Sequence, residues 1–224
     1  MGPPQDIIVR LKEYGEIANF IETGTYLGNT AYWASQIFNR VVTIEYSSTM
    51  HQKATEKYGH LENIDFLYGD SREKLEEVVL QLDKPSIFWL DAHWSGGATY
   101  GQGDECPILD EIKIINSSTH RHFILIDDAR LFLSPPPSPH LIEQWPDITK
   151  VINTLNQIDE TYIVILDDVI ISVPNSFKQI LSTICQNITT TDRQKSISYV
   201  PEGFKLISKG VKKKVETLLF NSNK

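Results

Sequence analysis

The chain has 224 residues, 41% of them hydrophobic, which is enough for one sizeable core and fits a single domain. Its 29 acidic and 21 basic residues leave a net charge of −8. Nucleic-acid affinity rests on clustered Lys and Arg, so this balance argues against a nucleic-acid partner.

In chain order, residues 7–17 predict a leading helix with Ile7, Ile8, Leu11 and Tyr14 on one face. An apolar run at 19–24 then predicts a first strand, followed by a glycine turn and a helix through 31–38. A second strand is expected at 40–45, a helix at 48–59 and a third strand at 64–69. Residues 71–82 predict a helix with Leu75, Val78, Val79 and Leu82 inward. A fourth strand at 86–91 leads into a loop, 94–105, that holds four glycines. Pro107 then opens a helix, since its missing N–H costs nothing in the first turn. A fifth strand is expected at 122–127. Ser134-Pro135-Pro136-Pro137-Ser138-Pro139 reads as a stiff connector, and 147–157 as a helix. Residues 162–166 and 169–173, around Asp167-Asp168, predict a β-hairpin with a two-residue turn. The rest is expected to be a helical extension over 176–224. Its basic run, Lys209 to Lys214, carries Val211, Val215, Leu218 and Leu219 around it and reads as an amphipathic helix. Strand–helix alternation closed by a hairpin predicts an α/β fold, a doubly wound sheet that is mostly parallel with one antiparallel strand.

The five early strands are apolar almost throughout and end in acidic or glycine-rich turns, as strands buried on both faces do. Ligands of open parallel sheets bind outside the carboxyl ends of the strands. The residues collected there are therefore the candidate site. Glu22-Thr23-Gly24 and Gly28-Asn29-Thr30 let the backbone turn and approach a ligand, and Asn29 or Thr30 can help begin a helix. This is neither G-x-G-x-x-G nor a P-loop. An acid ahead of two glycines suits a ligand with a cationic amino-acid portion. Glu45 can accept hydrogen bonds from a ribose diol. Asp70, followed by Ser71, can bind an adenine amine or cap the next helix, and the two roles are compatible.

The series Glu22-x-Gly24, Glu45, Asp70, Asp91 at successive strand ends resembles the class I S-adenosylmethionine (SAM)-dependent methyltransferases, with their Rossmann-like sheet and terminal hairpin. More narrowly, Phe20-Ile21-Glu22-Thr23-Gly24, Leu90-Asp91-Ala92-His93 and Leu125-Ile126-Asp127-Asp128 resemble the macrocin O-methyltransferase group of sugar and antibiotic methyltransferases. The resemblance covers about residues 15–175. It implies SAM as cofactor and a Mg²⁺ ion held by Asp91, Asp127 and Asp128. Three carboxylates also offer the hard oxygen ligands Mg²⁺ takes, although Asp127 and Asp128 can instead cap the next segment. Where the group has Asp-x-Asp, this chain has Asp91-Ala92-His93. His93 can serve as general base, ligate a metal, face substrate or simply pack. Arg130 can meet an acidic substrate group or form a local salt bridge. Trp94, Tyr100 and Trp145 are expected to line loops over the site, and the glycine-rich segment 95–103 to close on substrate. His51, His60, His120, His122 and His140 read as mostly surface residues.

The reaction implied is methyl transfer to a hydroxyl of a small molecule such as a sugar or natural product. The competing reading is a non-catalytic binding domain that keeps the fold and recognises a glycan or nucleotide. Cys106 and Cys185 are far apart with no CxxC, which predicts reduced thiols in a cytoplasmic protein. No stretch approaches 18 apolar residues, no signal peptide is expected, and Met1-Gly2 lacks a myristoylation context. The sequons at Asn116 and Asn187 therefore carry little weight. An oligomer is possible on this sequence.

Overall fold

The computed structural model describes residues 2–94 and 104–194. The predicted loop segment 95–103, with Tyr100, and the basic run near the C-terminus lie outside the described residues. The chain divides into two compact units, the second beginning at Ser182, and residues 182–194 are helical.

The first unit is an α/β sandwich. Its strands are β1 (Asn19–Thr23), β2 (Arg40–Glu45), β3 (Ile64–Tyr68), β4 (Ile87–Leu90), β5 (Phe123–Ile126), β6 (Thr161–Leu166) and β7 (Val169–Pro174). They form one sheet in the order β3-β2-β1-β4-β5-β7-β6. β7 runs antiparallel between β5 and β6, and the pairs among β1 to β5 are parallel. The expected fold class is the observed one.

The helices are α1 (Gln5–Gly15), α2 (Asn29–Ser35), α3 (Ser48–Tyr58), α4 (Ser71–Leu80), α5 (Ile108–Asn116), α6 (Arg130–Leu133) and α7 (Ile148–Leu155). Alternate residues of a strand point to opposite faces. Ile21, Val42, Phe88, Leu90, Ile124 and Ile170 cluster with Leu75, Val79, Ile112 and Val151 from α4, α5 and α7. Phe20, one residue out of step with Ile21, meets Trp33 of α2 and Phe38 on the other face. Both faces of β1 and β4 are therefore buried, and these strands read as unbroken apolar runs for that reason.

β3 departs from the expectation of a strand buried on both faces. It lies at the sheet edge, and of its residues only Ile64 is buried. The segment after β5 also holds more structure than the sequence predicted, a short α6 and a 3-10 turn at Ile142–Gln144. Pro107 caps α5 from the position before its first residue. Among the described residues no helix is long and apolar enough to cross a membrane.

Candidate active site

The strand order reverses between β1 and β4, and the crevice outside their carboxyl ends is where an open sheet binds ligands. Ladder hydrogen bonds continue past the strands and fix the ends side by side. Asp91 N–H donates to Thr23 at 3.1 Å, and Asp127 N–H donates to the Leu90 carbonyl at 3.1 Å. Gly24 N–H donates to the Ile44 carbonyl at 2.9 Å. Gly24 has φ +86°, and a Cβ there would stand 2.3 Å from the Asp91 carbonyl oxygen. Only glycine lets the first turn pass this close to the end of β4.

A cavity of about 420 Å³ opens at these ends. Of the predicted residues, Gly24, Glu45, Asp70, Ser71, Asp91, His93, Asp127 and Asp128 line it. Glu45 lines the cavity and accepts from Tyr26 N–H on one oxygen and Ser47 N–H on the other, each at 2.8 Å. Burial raises its pKa against those two bonds. Asp70 caps α4 by accepting from Arg72 N–H at 2.9 Å, and the Arg72 guanidinium grips both its oxygens and Asp104. Those bonds lower the Asp70 pKa and leave it little freedom to turn toward an adenine amine.

Other predicted residues are not in the cavity wall. Glu22 is 1% exposed and lies behind the turn, where its carboxyl accepts from Thr43 at 2.7 Å. Burial pushes its pKa up to about 8, so it is a neutral acid at pH 7 rather than an anion for a cationic ligand. Thr23 is fully buried. Gly28 supplies a left-handed cap to α2, with no side-chain cap from Asn29 or Thr30. Asn29 instead accepts from Lys57 and Tyr58.

The catalytic candidates form one cluster. His93 Nε2 bonds Asp128 at 2.8 Å, and His93 Nδ1 is 3.9 Å from Asp91. Asp128 sits at φ +56° and its other oxygen accepts from Arg130 at 2.6 Å. Arg130 also pairs with Asp168 in the hairpin turn. Arg130 thus makes the local salt bridge. Burial pushes Asp91 up to about 7, aided by the charges of Asp127 and Asp128. The His93 and Arg130 bonds pull Asp128 down to about 2 despite its burial. Burial disfavours the His93 cation, yet Asp128 and Asp91 outweigh it and hold the pKa above its ordinary value. In this arrangement the His93 ring lies between two carboxylates, Asp128 at 2.8 Å and Asp91 at 3.9 Å.

Asp91, Asp127 and Asp128 have the donor chemistry of a Mg²⁺ site, and the charges of Asp127 and Asp128 add to the burial that raises the Asp91 pKa. Among the described residues, no group of three or more His, Cys, Asp or Glu is arranged to hold a metal as it stands. His93 and Arg130 each bond one oxygen of Asp128, which leaves a lone pair on each oxygen. The three carboxylates fit the ion by donor type.

Several lining residues escaped the sequence reading: Tyr26, Tyr46, Ser47, Met50, Arg72 and Pro107. Tyr46 and Ser47 directly follow Glu45, and position past a strand end was the available signal. Two histidines expected at the surface are not there. His122 is buried and accepts from Ser86 N–H through Nδ1 at 3.1 Å, and His140 contacts the buried Glu105. Trp145 is buried beside His93, while Trp94 packs against His140 and does not line the cavity.

No protein-family model matches the chain, and no curated protein matches it by sequence. Solved structures do match. A Staphylococcus aureus protein with a provisional caffeoyl-CoA O-methyltransferase assignment is 19% identical, with TM-score 0.55 over 78% of this chain and 85% of that one. The O-methyltransferase TomG from Streptomyces achromogenes, involved in tomaymycin synthesis and solved with SAM, is 12% identical, with TM-score 0.50 over 78% and 81%. The Podospora anserina methyltransferase PaMTH1, solved with S-adenosylhomocysteine (SAH), is 18% identical, with TM-score 0.50 over 77% and 79%. At these identities the likeness is one of fold. The fold is the Rossmann-like fold of the methyltransferases, a seven-stranded sheet with the antiparallel strand near its C-terminal edge.

Proposed function

We propose that the protein is a SAM-dependent O-methyltransferase acting on a hydroxyl of a small molecule such as a sugar or natural product, within the macrocin-like group. The observation that carries this reading is the single cavity wall formed by Gly24, Glu45, Asp91 and His93 at the sheet's switch point. Glu45 faces a ribose diol in this reading, and the Gly24 turn admits the ligand backbone. Methyl transfer is an in-line displacement in which the sulfonium charge vanishes. The protein's task is alignment, worth roughly 7–11 kcal/mol in favourable cases, and removal of the acceptor proton.

His93 is the proposed base. With Nε2–H donating to Asp128, the lone pair that takes the proton is at Nδ1. Asp91, Asp127 and Asp128 would hold Mg²⁺, which supplies a Lewis-acid charge that lowers an acceptor hydroxyl's pKa. Trp94, Tyr100 and Arg130 are proposed to meet the acceptor, with the fold acting as one domain in a cytoplasmic protein. The binding-domain reading draws on the bonds that His93 and Arg130 already make to Asp128.

Calorimetric titration with SAH, then Mg²⁺, separates the two. Saturable SAH binding, with a metal site lost in Asp128→Ala, is expected. Given an acceptor, His93→Ala should cost on the order of 10²–10⁴ in rate with SAH affinity unchanged. No nucleoside binding by the native chain would defeat the methyltransferase reading. A full rate in His93→Ala would defeat the base assignment.

A further inference from the structure

Glu105 stands just ahead of α5 and takes no part in the cavity wall. Its residue is 2% exposed, yet its carboxylate has no Lys or Arg partner among the described contacts. A buried carboxylate is tolerated only when its oxygens are satisfied. Here three donors converge on it. Trp145 Nε1–H donates at 2.7 Å, His140 Nδ1–H at 3.1 Å and Leu141 N–H at 3.1 Å. The backbone joins in. Glu105 N–H donates to Gln144 at 3.0 Å, and Trp94 N–H donates to the Glu105 carbonyl at 2.8 Å. One residue thus ties the chain just after His93 to residues 140–145.

The tie has a chemical consequence. Trp145 is held by its indole N–H, and its ring meets the His93 ring at 5.5 Å and 65°, edge to face. Phe132 and His140 brace Trp145 on other sides, at 5.7 and 5.2 Å. An aromatic ring pinned at its polar end cannot slide, so His93 is confined between Trp145 and Asp128. We propose that Glu105 is a positioning residue for His93, acting through Trp145. The proposal rests on the reading of His93 as the base.

The residue type follows from the donors. Three N–H groups point at one side chain, and only an ionised carboxylate accepts all three without a donor of its own. Glutamine keeps one oxygen for Trp145 but turns an NH₂ toward another N–H.

The test is NMR of the full chain, following the Trp145 indole N–H and the His93 Cε1–H resonances in wild type, Glu105→Ala and Glu105→Gln. Near-ultraviolet circular dichroism reports folding, and SAH titration is run beside it. Expected is a shift of both resonances in Glu105→Ala and a partial return of both in Glu105→Gln. A moved Trp145 resonance with an unmoved His93 resonance, in a folded variant, overturns the proposal. If Glu105→Ala does not fold, Glu105→Gln decides by the same criterion. Absence of SAH binding in wild type would sink the methyltransferase reading alone, because the resonances are read without any ligand.

Discussion

At Gly24 one added carbon decides whether β1 and β4 can end side by side. The left-handed backbone costs a non-glycine residue about 1–2 kcal/mol, and the Cβ would also lie 2.3 Å from a carbonyl oxygen that has nowhere to go. Gly24→Ala is expected to lower stability by more than about 2 kcal/mol in urea unfolding and to abolish SAH binding. Unchanged binding would mean that the turn does not shape the cavity. This glycine was legible because its neighbours in sequence mark a strand end. The state of His93 was not legible. It depends on Asp128 and Arg130, 35 and more residues away. Glu105 left no local signal at all, since its three donors come from residues 140–145.

The β6–β7 hairpin contributes more to the site than a turn. Asp167 and Asp168 have φ +48° and +65°, the two positive angles of a turn that prefers Asn-Gly. The Asp168 carbonyl accepts from Ala129 N–H at 2.8 Å, and its carboxylate from Arg130 N–H at 2.8 Å and from the Arg130 guanidinium. The hairpin therefore anchors the start of α6 and, through Arg130, the position of Asp128. Sequence periodicity located the hairpin but read Asp167-Asp168 as turn residues alone, because pairing across 38 residues has no periodic trace. Glycine relieves the backbone strain at either position, but only Asp168→Gly loses the tether. Arg130 is largely exposed, so solvent discounts that ion pair. Asp168→Gly is expected to be less stable than Asp167→Gly by about 1 kcal/mol in denaturant unfolding. Equal stabilities would show that the anchor contributes nothing. The same contrast of local and distant causes explains β3. An edge strand and a central strand carry similar apolar runs, and only the strand order separates them.

Across the whole molecule burial raises the pKa of several acids, Glu22 and Glu111 among them. Glu22 is pushed up to about 8, and Glu111, on α5, to about 7, in both cases chiefly by burial. Periodicity gave no sign of either effect, for Glu111 falls on the inner face of α5 among Ile108, Ile112 and Ile115. The sign of the pH effect follows from proton counting. Both folded pKa values lie above the unfolded carboxylate value, so between the two the folded state binds more protons. The contribution of these groups is fully present below the unfolded value, falls as pH rises, and levels off above the folded value. The part of the unfolding free energy due to Glu22 and Glu111, read from urea titrations, should therefore decline from about pH 5 to about pH 8, by up to about 1.4 kcal/mol per pH unit for each fully shifted group, while His122, lowered to about 4, acts in the opposite sense below its ordinary value of 6.5. Glu22→Gln keeps a neutral side chain of the same shape at every pH, and the decline should flatten in that variant, most clearly between about pH 7 and pH 8 where Glu111 has already ionised. A stability difference between wild type and Glu22→Gln that stays level from about pH 7 to about pH 8 would mean that Glu22 is ionised in the folded protein. The cradle behind the Gly24 turn would then carry a negative charge facing the ligand's side of the sheet.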